Sequence, residues 1–186
     1  MITLRSAFLL LLIFLSSTSK ANELKTFIPE GYSILDTVSG KLNRDDIPDL
    51  ILVLKRTNEV DLSKTSDYAI KRILVVLLGL TDHTYQLAGS NADIIYCHAC
   101  GDQIEEPYQK CTIENFEFTI EQNGGSAWRW SRSIAFALNT SGNFILTKDV
   151  TISFAKDNIE ATKDVITKTG KELGSINFDQ FDIDKE

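Results

Sequence analysis

The chain has 186 residues, of which 43% are hydrophobic, and its 26 acidic and 19 basic side chains give a formal net charge of −7. This length suffices for one domain with a substantial core, and we expect no second domain. An acidic surplus repels phosphate backbones, so the composition argues against a nucleic-acid partner. The same surplus is the ordinary solubilising choice for an exported protein and therefore indicates no particular ligand.

Residues 1–21 have the three parts of a secretory signal peptide. A basic start containing Arg5 precedes an apolar run at residues 7–15, and Ser19-Lys20-Ala21 gives the small-x-small pattern that predicts cleavage before Asn22. The run is too short to span a bilayer, which takes about 20 apolar residues. We therefore expect export to the periplasm or the extracellular space, with no membrane span in the mature chain.

Residues 22–174 are expected to form a single, mainly β domain. Their apolar residues recur mostly with period two and are separated by turn formers, which is typical of an antiparallel sheet or sandwich, here of about eight strands. Continuous apolar runs at 50–54 and 73–78 indicate central strands covered on both faces. Helices are expected only as short turns within residues 57–70 and 156–163. The predicted strands are residues 33–42, 49–55, 72–79, 85–89, 116–122, 127–138, 144–154 and 164–167.

The loop ahead of the first buried run carries candidate cation ligands. Counted from Lys41, the side chains of Asn43, Asp45 and Asp49 stand at positions three, five and nine of a calcium-binding loop. The pattern is broken by the lysine at position one and by Asp46 where glycine belongs at position six. We expect a turn held by Asx-type hydrogen bonds, and a weak calcium site at Asn43, Asp45 and Asp49 is the alternative.

Cys97, Cys100 and Cys111 are the three cysteines of the chain. Export into an oxidising compartment predicts a disulfide. A bond from Cys97 or Cys100 to Cys111 would close a loop of about 12 to 15 residues, and the chain-entropy estimate favours this longer loop. The alternatives for Cys97 and Cys100 are a thiol-exchange pair and a metal site that recruits His83 or His98, although their spacing matches no standard zinc pattern.

The clearest strand, residues 127–138, carries both tryptophans of the chain. Trp128 and Trp130 point to one face, Arg129 points to the other, and Arg132 interrupts the apolar face. We expect both tryptophans to fill the core, with Arg129 exposed on the far side. The alternative is a surface made by Trp128, Arg129 and Trp130 that binds sugar or peptide. The preceding Gly124-Gly125 predicts a bend or bulge.

Residues 175–186 form an acidic C-terminal tail in the sequence. We expect it to be loosely held, with Ile176, Phe178 and Phe181 able to pin it to the domain.

Three segments together resemble a group of small exported bacterial proteins of unassigned function. LNRDDIPDLILVL is similar to one segment of the FG-GAP and VCBS repeats, Cys97-His98-Ala99-Cys100-Gly101 matches a C-x-x-C-G stretch, and residues 124–131 match a G-G-S-x-W-R-W-S strand. The resemblance covers residues 27–154 and implies a mainly β fold and export, without any activity. The group carries the C-x-x-C pair without a counterpart of Cys111. This implies a Cys97–Cys100 disulfide, with Cys111 free and buried.

No catalytic constellation stands out in the sequence. Neither histidine lies in a metalloprotease pattern, and no serine lies in G-x-S-x-G. We expect a monomeric binding or interaction module, without a cofactor, whose ligand is an unknown protein or small molecule. The alternatives are a thiol-redox or metal-binding protein that uses the C-x-x-C pair, and a periplasmic inhibitor or immunity protein.

Overall fold

The computed structural model describes residues 24–65, 69–102, 104, 106–172 and 174–185, and the predicted signal peptide lies outside them. These residues form two antiparallel sheets in which each strand pairs with its neighbour in the chain, which confirms the predicted fold class. The first sheet contains β1 (Tyr32–Gly40), β2 (Asp49–Arg56), β3 (Ile73–Gly79) and β4 (Tyr85–Asn91). The second contains β5 (Tyr108–Glu114), β6 (Glu117–Gly125), β7 (Trp128–Leu138), β8 (Phe144–Ala155) and β9 (Asp164–Thr169).

Strands β2 and β3 are covered on both faces, as their continuous apolar runs predict. On one face, Ile51 and Val76 belong to the main core between the two sheets. On the other face, Leu52 and Leu77 belong to a second cluster. The segment ahead of β1 supplies part of the cover for this second cluster, with Leu24, Phe27 and Ile28 packed against it.

The structure contains one strand, β5, that was missing from the predicted strands. Tyr108 and Cys111 are both buried, and a register shift between Tyr108 and Lys110 places an irregularity between them. Two buried side chains therefore stand three residues apart, which hides the period-two pattern of a strand. Two short helices, α1 (Glu59–Thr65) and α2 (Ile159–Thr162), lie in the two links where helical turns were expected.

The C-terminal segment is packed into the core, so the expectation of a loosely held tail was wrong. The predicted anchors Phe178 and Phe181 are both buried, and Ile183 is buried beside them. The ring of Phe178 meets Phe118 and Phe136 edge-on, with centroid distances of 5.5 and 5.4 Å. Burial of these apolar side chains stabilises the folded state, and the neighbouring aspartates cost little desolvation energy because they stay at the surface.

Hydrogen bonds fix the same segment to both sheets. The side-chain amide of Asn91 donates to the carbonyl of Phe181 at 2.8 Å and also to that of Phe178. From the second sheet, the backbone N–H of Leu146 donates to the carbonyl of Ile176 at 2.9 Å. On the opposite side of the molecule β1 lies against β5. The sandwich is thus closed on one side by the contact between β1 and β5 and on the other side by residues 176–183.

Strands β7 and β8 extend past the sandwich. In β7 the fully buried positions are Ile134, Ala135 and Phe136, while residues 128–133 are partly or fully exposed. The outer half of β8 is likewise only partly buried, and it pairs with β9. Within the described ranges, no helix is long and apolar enough to cross a membrane.

Candidate functional site

The extended half of β7 presents aromatic side chains to solvent. Trp128 is 60% exposed, which corrects the expectation that both tryptophans fill the core. Trp130 lies on the same face and is partly buried, with its ring 5.3 Å from that of Tyr96 and tilted by 60° to it. We refer to Trp128, Trp130 and Tyr96 as the aromatic row.

The glycine pair before β7 makes room for this row. Gly124 pairs with Trp130 across the β6–β7 ladder, and a Cβ atom on Gly124 would stand 2.5 Å from Cζ2 of the indole. Any side chain there would push the ring off the sheet. Gly125 has a φ of +97° and ends β6 at the turn into β7, so the predicted bend is present, whereas the ladder between the two strands is regular.

The two arginines of β7 have different roles. Arg129 lies on the face opposite the tryptophans, where its Nη1 donates to the carbonyl of Gly125 at 2.5 Å. Trp128, Arg129 and Trp130 therefore do not form one surface. Arg132 lies on the tryptophan face and binds Asp149 through two bonds, Nε to Oδ1 at 3.0 Å and Nη2 to Oδ2 at 2.7 Å.

Arg132 also joins the aromatic row to the C-terminal segment. Its Nη1 donates to the carbonyl of Ile183 at 2.8 Å. Burial alone would lower the pKa of Arg132, but its bonds to Asp149 raise the pKa above the usual value. Burial likewise raises the pKa of the Tyr96 hydroxyl, although the charge of Arg132 opposes this shift. The nearly buried Arg132–Asp149 pair thus marks the inner end of the row, where β7 enters the core.

A pocket of about 150 Å³ lies beside this ion pair, lined by Arg132, Asp149, Thr151, Ile166 and Lys168. The row and the pocket are our candidate site. It combines flat apolar rings with hydroxyl and charged groups, which are the groups that bind sugar rings or peptide side chains.

The disulfide joins Cys97 to Cys100, as the resemblance implies, with a Cα–Cα distance of 5.1 Å. Cys111 is free and buried, as expected, and burial raises the pKa of its thiol to about 12. Both bonded cysteines line a groove of about 280 Å³, together with Lys71, Asp93, Ile95 and Ile183. Tyr96 belongs to this groove as well as to the aromatic row, so the two surfaces adjoin.

An ion cluster built around the buried Arg72 fixes the disulfide loop, and sequence reasoning missed it. Arg72 is fully buried and binds Glu59 of α1, with Nε to Oε1 at 2.6 Å, and Glu106 after the loop, with Nη1 to Oε1 at 2.6 Å. Its Nη1 also donates to the carbonyl of Tyr96 at 3.2 Å, and the N–H of His98 donates to Glu59 at 3.3 Å. The one signal in the sequence was an arginine placed directly before the buried run at 73–78.

The arginine of this cluster remains charged despite its burial. Desolvation alone would lower the pKa of Arg72, but the hydrogen bonds and charges of Glu106 and Glu59 raise it above the usual value. The cluster positions Tyr96 and hence one end of the aromatic row.

The loop at 41–49 is a hydrogen-bonded turn, as predicted. The N–H of Asp45 donates to Asn43 Oδ1 at 3.0 Å, and the N–H of Ile47 donates to Asp45 Oδ1 at 2.9 Å. Asp49 is buried apart from this pair, accepting the N–H groups of Leu42 and Gly79. Across the residues that the structure describes, no group of three or more His, Cys, Asp or Glu side chains could hold a metal ion.

Comparison with known proteins gave no match to the chain among protein-family models, curated proteins or solved structures. The resemblance to small exported bacterial proteins therefore stays a prediction.

Proposed function

We propose that this protein is an exported binding module that acts without catalysis and holds its ligand on the aromatic row. The observation that carries the proposal is the 60% exposure of Trp128 on a regular strand, directly beside Trp130. A single exposed apolar side chain needs no explanation, but Trp128 lies on the same face as the partly exposed Trp130, and grouped apolar surface is typical of an interaction site. This grouping is what points to a ligand.

The neighbouring charges support binding in preference to chemistry. The guanidinium of Arg132 and the carboxylate of Asp149 are bonded to each other through two hydrogen bonds. Each satisfies the other and both are nearly buried, so they hold the inner end of the row in place and leave ligand contact to the rings. The stacking surfaces of Trp128 and Trp130 suit the faces of sugar rings and the apolar side chains of an extended peptide.

Export is part of this proposal. It is supported by the signal-like pattern of residues 1–21 and by the Cys97–Cys100 disulfide, since such bonds persist in oxidising compartments. We place the protein in the periplasm or outside the cell, with a protein or small-molecule partner. The net charge of −7 argues against nucleic acid as that partner.

Tryptophan fluorescence tests the proposal directly, because the two tryptophans of the chain both belong to the aromatic row. We expect soluble cell-wall oligosaccharides, or a fraction of periplasmic extract, to shift or quench the emission in a saturable way. Trp128→Ala should weaken that binding by roughly tenfold or more, as for a hot-spot tryptophan, and leave the melting temperature unchanged. Leu87→Ala is the matched control, because Leu87 is 52% exposed on β4 of the other sheet.

A ligand that binds the wild type and the Trp128→Ala variant equally would place the site elsewhere and overturn the proposal. Capture of binding partners from periplasmic extract tests the alternative that the protein is an inhibitor or immunity protein. A captured exported enzyme whose activity falls on binding would identify an inhibitor or immunity protein.

A second candidate function is thiol exchange at Cys97 and Cys100, favoured by their place in the groove of about 280 Å³. Cys100 is partly exposed there and Cys97 is buried. Reduction of a test disulfide by the pre-reduced protein, lost in Cys100→Ser, would support this function. Equal rates for the two proteins would exclude it.

A further inference from the structure

Strand β9 is an open edge of the second sheet. In the part of the chain that the structure describes, its extensive contacts are with β8 alone. The other edge strands have neighbours, since β1 and β5 lie against each other and the C-terminal segment contacts β4. An edge strand that pairs on one side only offers the backbone N–H and C=O groups of its other side to another strand.

As an edge strand, β9 is protected only by its short length and by the charge of Lys168. It contains no proline, and its six pairs with β8 run without a bulge. Val165 and Ile166 point to opposite faces, and each is about half exposed, at 49% and 53%. Many proteins also block such edges with bulges or prolines. A half-exposed apolar edge without either is open to pairing with a second strand.

The charges of β9 specify which partner fits. The sequence Asp164-Val165-Ile166-Thr167-Lys168 carries one acid and one base at equal distances from Ile166. If two copies pair antiparallel about Ile166, Asp164 of each copy stands opposite Lys168 of the other. The ion pair then occurs twice by symmetry, and opposite charges directly across a ladder are favourable. The segment is complementary to itself.

We propose that the protein forms a twofold-symmetric dimer in which β9 pairs antiparallel with β9 of a second copy, centred on Ile166. The two five-stranded sheets become one continuous sheet, and the interface is isologous. In this register Val165 faces Thr167 of the second copy. The proposed dimer differs from the monomer expected from the sequence, and it does not depend on the ligand proposed for the aromatic row.

Charge exchange tests the register, with the protein expressed from its full sequence and its mass measured by light scattering after gel filtration. The wild type should have twice the chain mass and dissociate on dilution. Asp164→Lys and Lys168→Asp should each be monomeric, because every single change places two like-charged pairs in the dimer. Like-charge contacts should raise the dimer Kd on the order of a hundredfold.

The compensating variants make the test specific. The double variant D164K/K168D keeps opposite charges across the interface and should dimerise again. An equimolar mixture of D164K and K168D should form a mixed dimer, because each carries the charges that the other lacks. Circular dichroism melting checks that the single variants are folded. Ile166→Lys, which brings two ammonium groups together at the symmetry axis, is a second route to the monomer.

Several outcomes would overturn the dimer. These are a wild type of single-chain mass over the whole dilution series, single variants that stay dimeric, and a mixture of the two single variants that stays monomeric. A double variant that is folded and monomeric would refute this register.

Discussion

Trp128 and Trp130 occupy the same face of one strand, yet they meet different surroundings. Trp130 is held between Gly124 and Tyr96, whereas Trp128 stands past the end of the opposing sheet. The sequence could place both on one face by their spacing. It could not say how far the opposing sheet reaches, because that depends on β1 to β4 being 7 to 9 residues long against the 11 and 12 residues of β7 and β8.

This difference predicts unequal effects of truncating the two side chains. Trp130→Ala should lower the free energy of unfolding by about 3 kcal/mol, the lower end for a large core residue, because Trp130 is only partly buried. Trp128→Ala should change it by less than about 0.5 kcal/mol. Urea unfolding followed by circular dichroism measures both. Equal losses for the two variants would contradict the assigned burial.

The buried thiol of Cys111 predicts a dependence of stability on alkaline pH. Burial, and then the charge of Asp36, raise the pKa of Cys111 from its ordinary value of 9.0 to about 12 in the folded state. Between pH 9 and 12 the unfolded chain releases a proton that the folded chain retains, so stability is full below pH 9 and falls as the pH rises. Comparing unfolding at pH 8 and pH 11 measures the loss.

Cys111→Ala is the control for this effect. The variant should lose less stability over the same pH interval than the wild type. Some loss should remain, because burial also raises the pKa of the Tyr108 hydroxyl above its ordinary value of 10.0, so that in this interval Tyr108 loses its proton more readily in the unfolded chain than in the folded one. An identical pH profile for the two proteins would show that Cys111 does not contribute.

At the scale of elements, β2 and β3 were predictable because five or more apolar residues in a row leave few alternatives to a buried strand. The burial of the C-terminal segment was harder to predict. Its buried side chains are interspersed with aspartates and begin in a 3₁₀ turn, Phe178–Gln180, so they follow neither the period of a strand nor that of a helix. Short irregular segments have no period to recognise. Their position is decided by the gap that the sheets leave open.

Phe178 provides the test of this packing. Phe178→Ala should destabilise the protein by about 3 to 5 kcal/mol, because the ring packs edge-on against both Phe118 and Phe136 in the core. Asp179→Ala, at the next and exposed position, should change stability by less than about 0.5 kcal/mol. Thermal unfolding of the pair would measure the difference. A small loss in Phe178→Ala would mean that the segment is not part of the core.

The Arg72 cluster connects the start of β3 to Glu59 of α1 and to Glu106 ahead of β5, so its removal should destabilise the whole fold. Arg72→Ala leaves the buried carboxylate of Glu59 without its cation and should destabilise the fold by about 3 to 5 kcal/mol. Arg72→Met with Glu59→Leu removes both charges from the interior and should recover part of that loss. The unfolding free energies of the single and double variants show whether the unpaired carboxylate of Glu59 causes the loss of stability. A double variant no more stable than Arg72→Ala would argue against the buried carboxylate as the cause.

For the whole molecule, dimerisation through β9 would place two aromatic rows on the same face of one sheet. From β7 to β7 of the second copy there are five inter-strand spacings of about 4.8 Å, or about 24 Å in all. A ligand with repeating units could occupy both rows at once and gain avidity from the second contact. We expect a long oligosaccharide or repeat peptide to bind the wild-type dimer at least tenfold more tightly than the monomeric Asp164→Lys variant. Equal affinities would show that the rows act separately.

The place of residues 176–183 also sets the order in which the protein can fold. When the chain leaves the ribosome or an export channel, the residues of both sheets emerge before Phe178, Phe181 and Ile183, whose side chains belong to the core between the sheets. Until residue 183 has emerged, the apolar faces of the sandwich stay open. Nascent chains stalled with residue 174 outside the tunnel should be digested readily by a protease, and chains stalled beyond residue 185 should resist it. The domain would thus stay unfinished until residues 176–183 have been added.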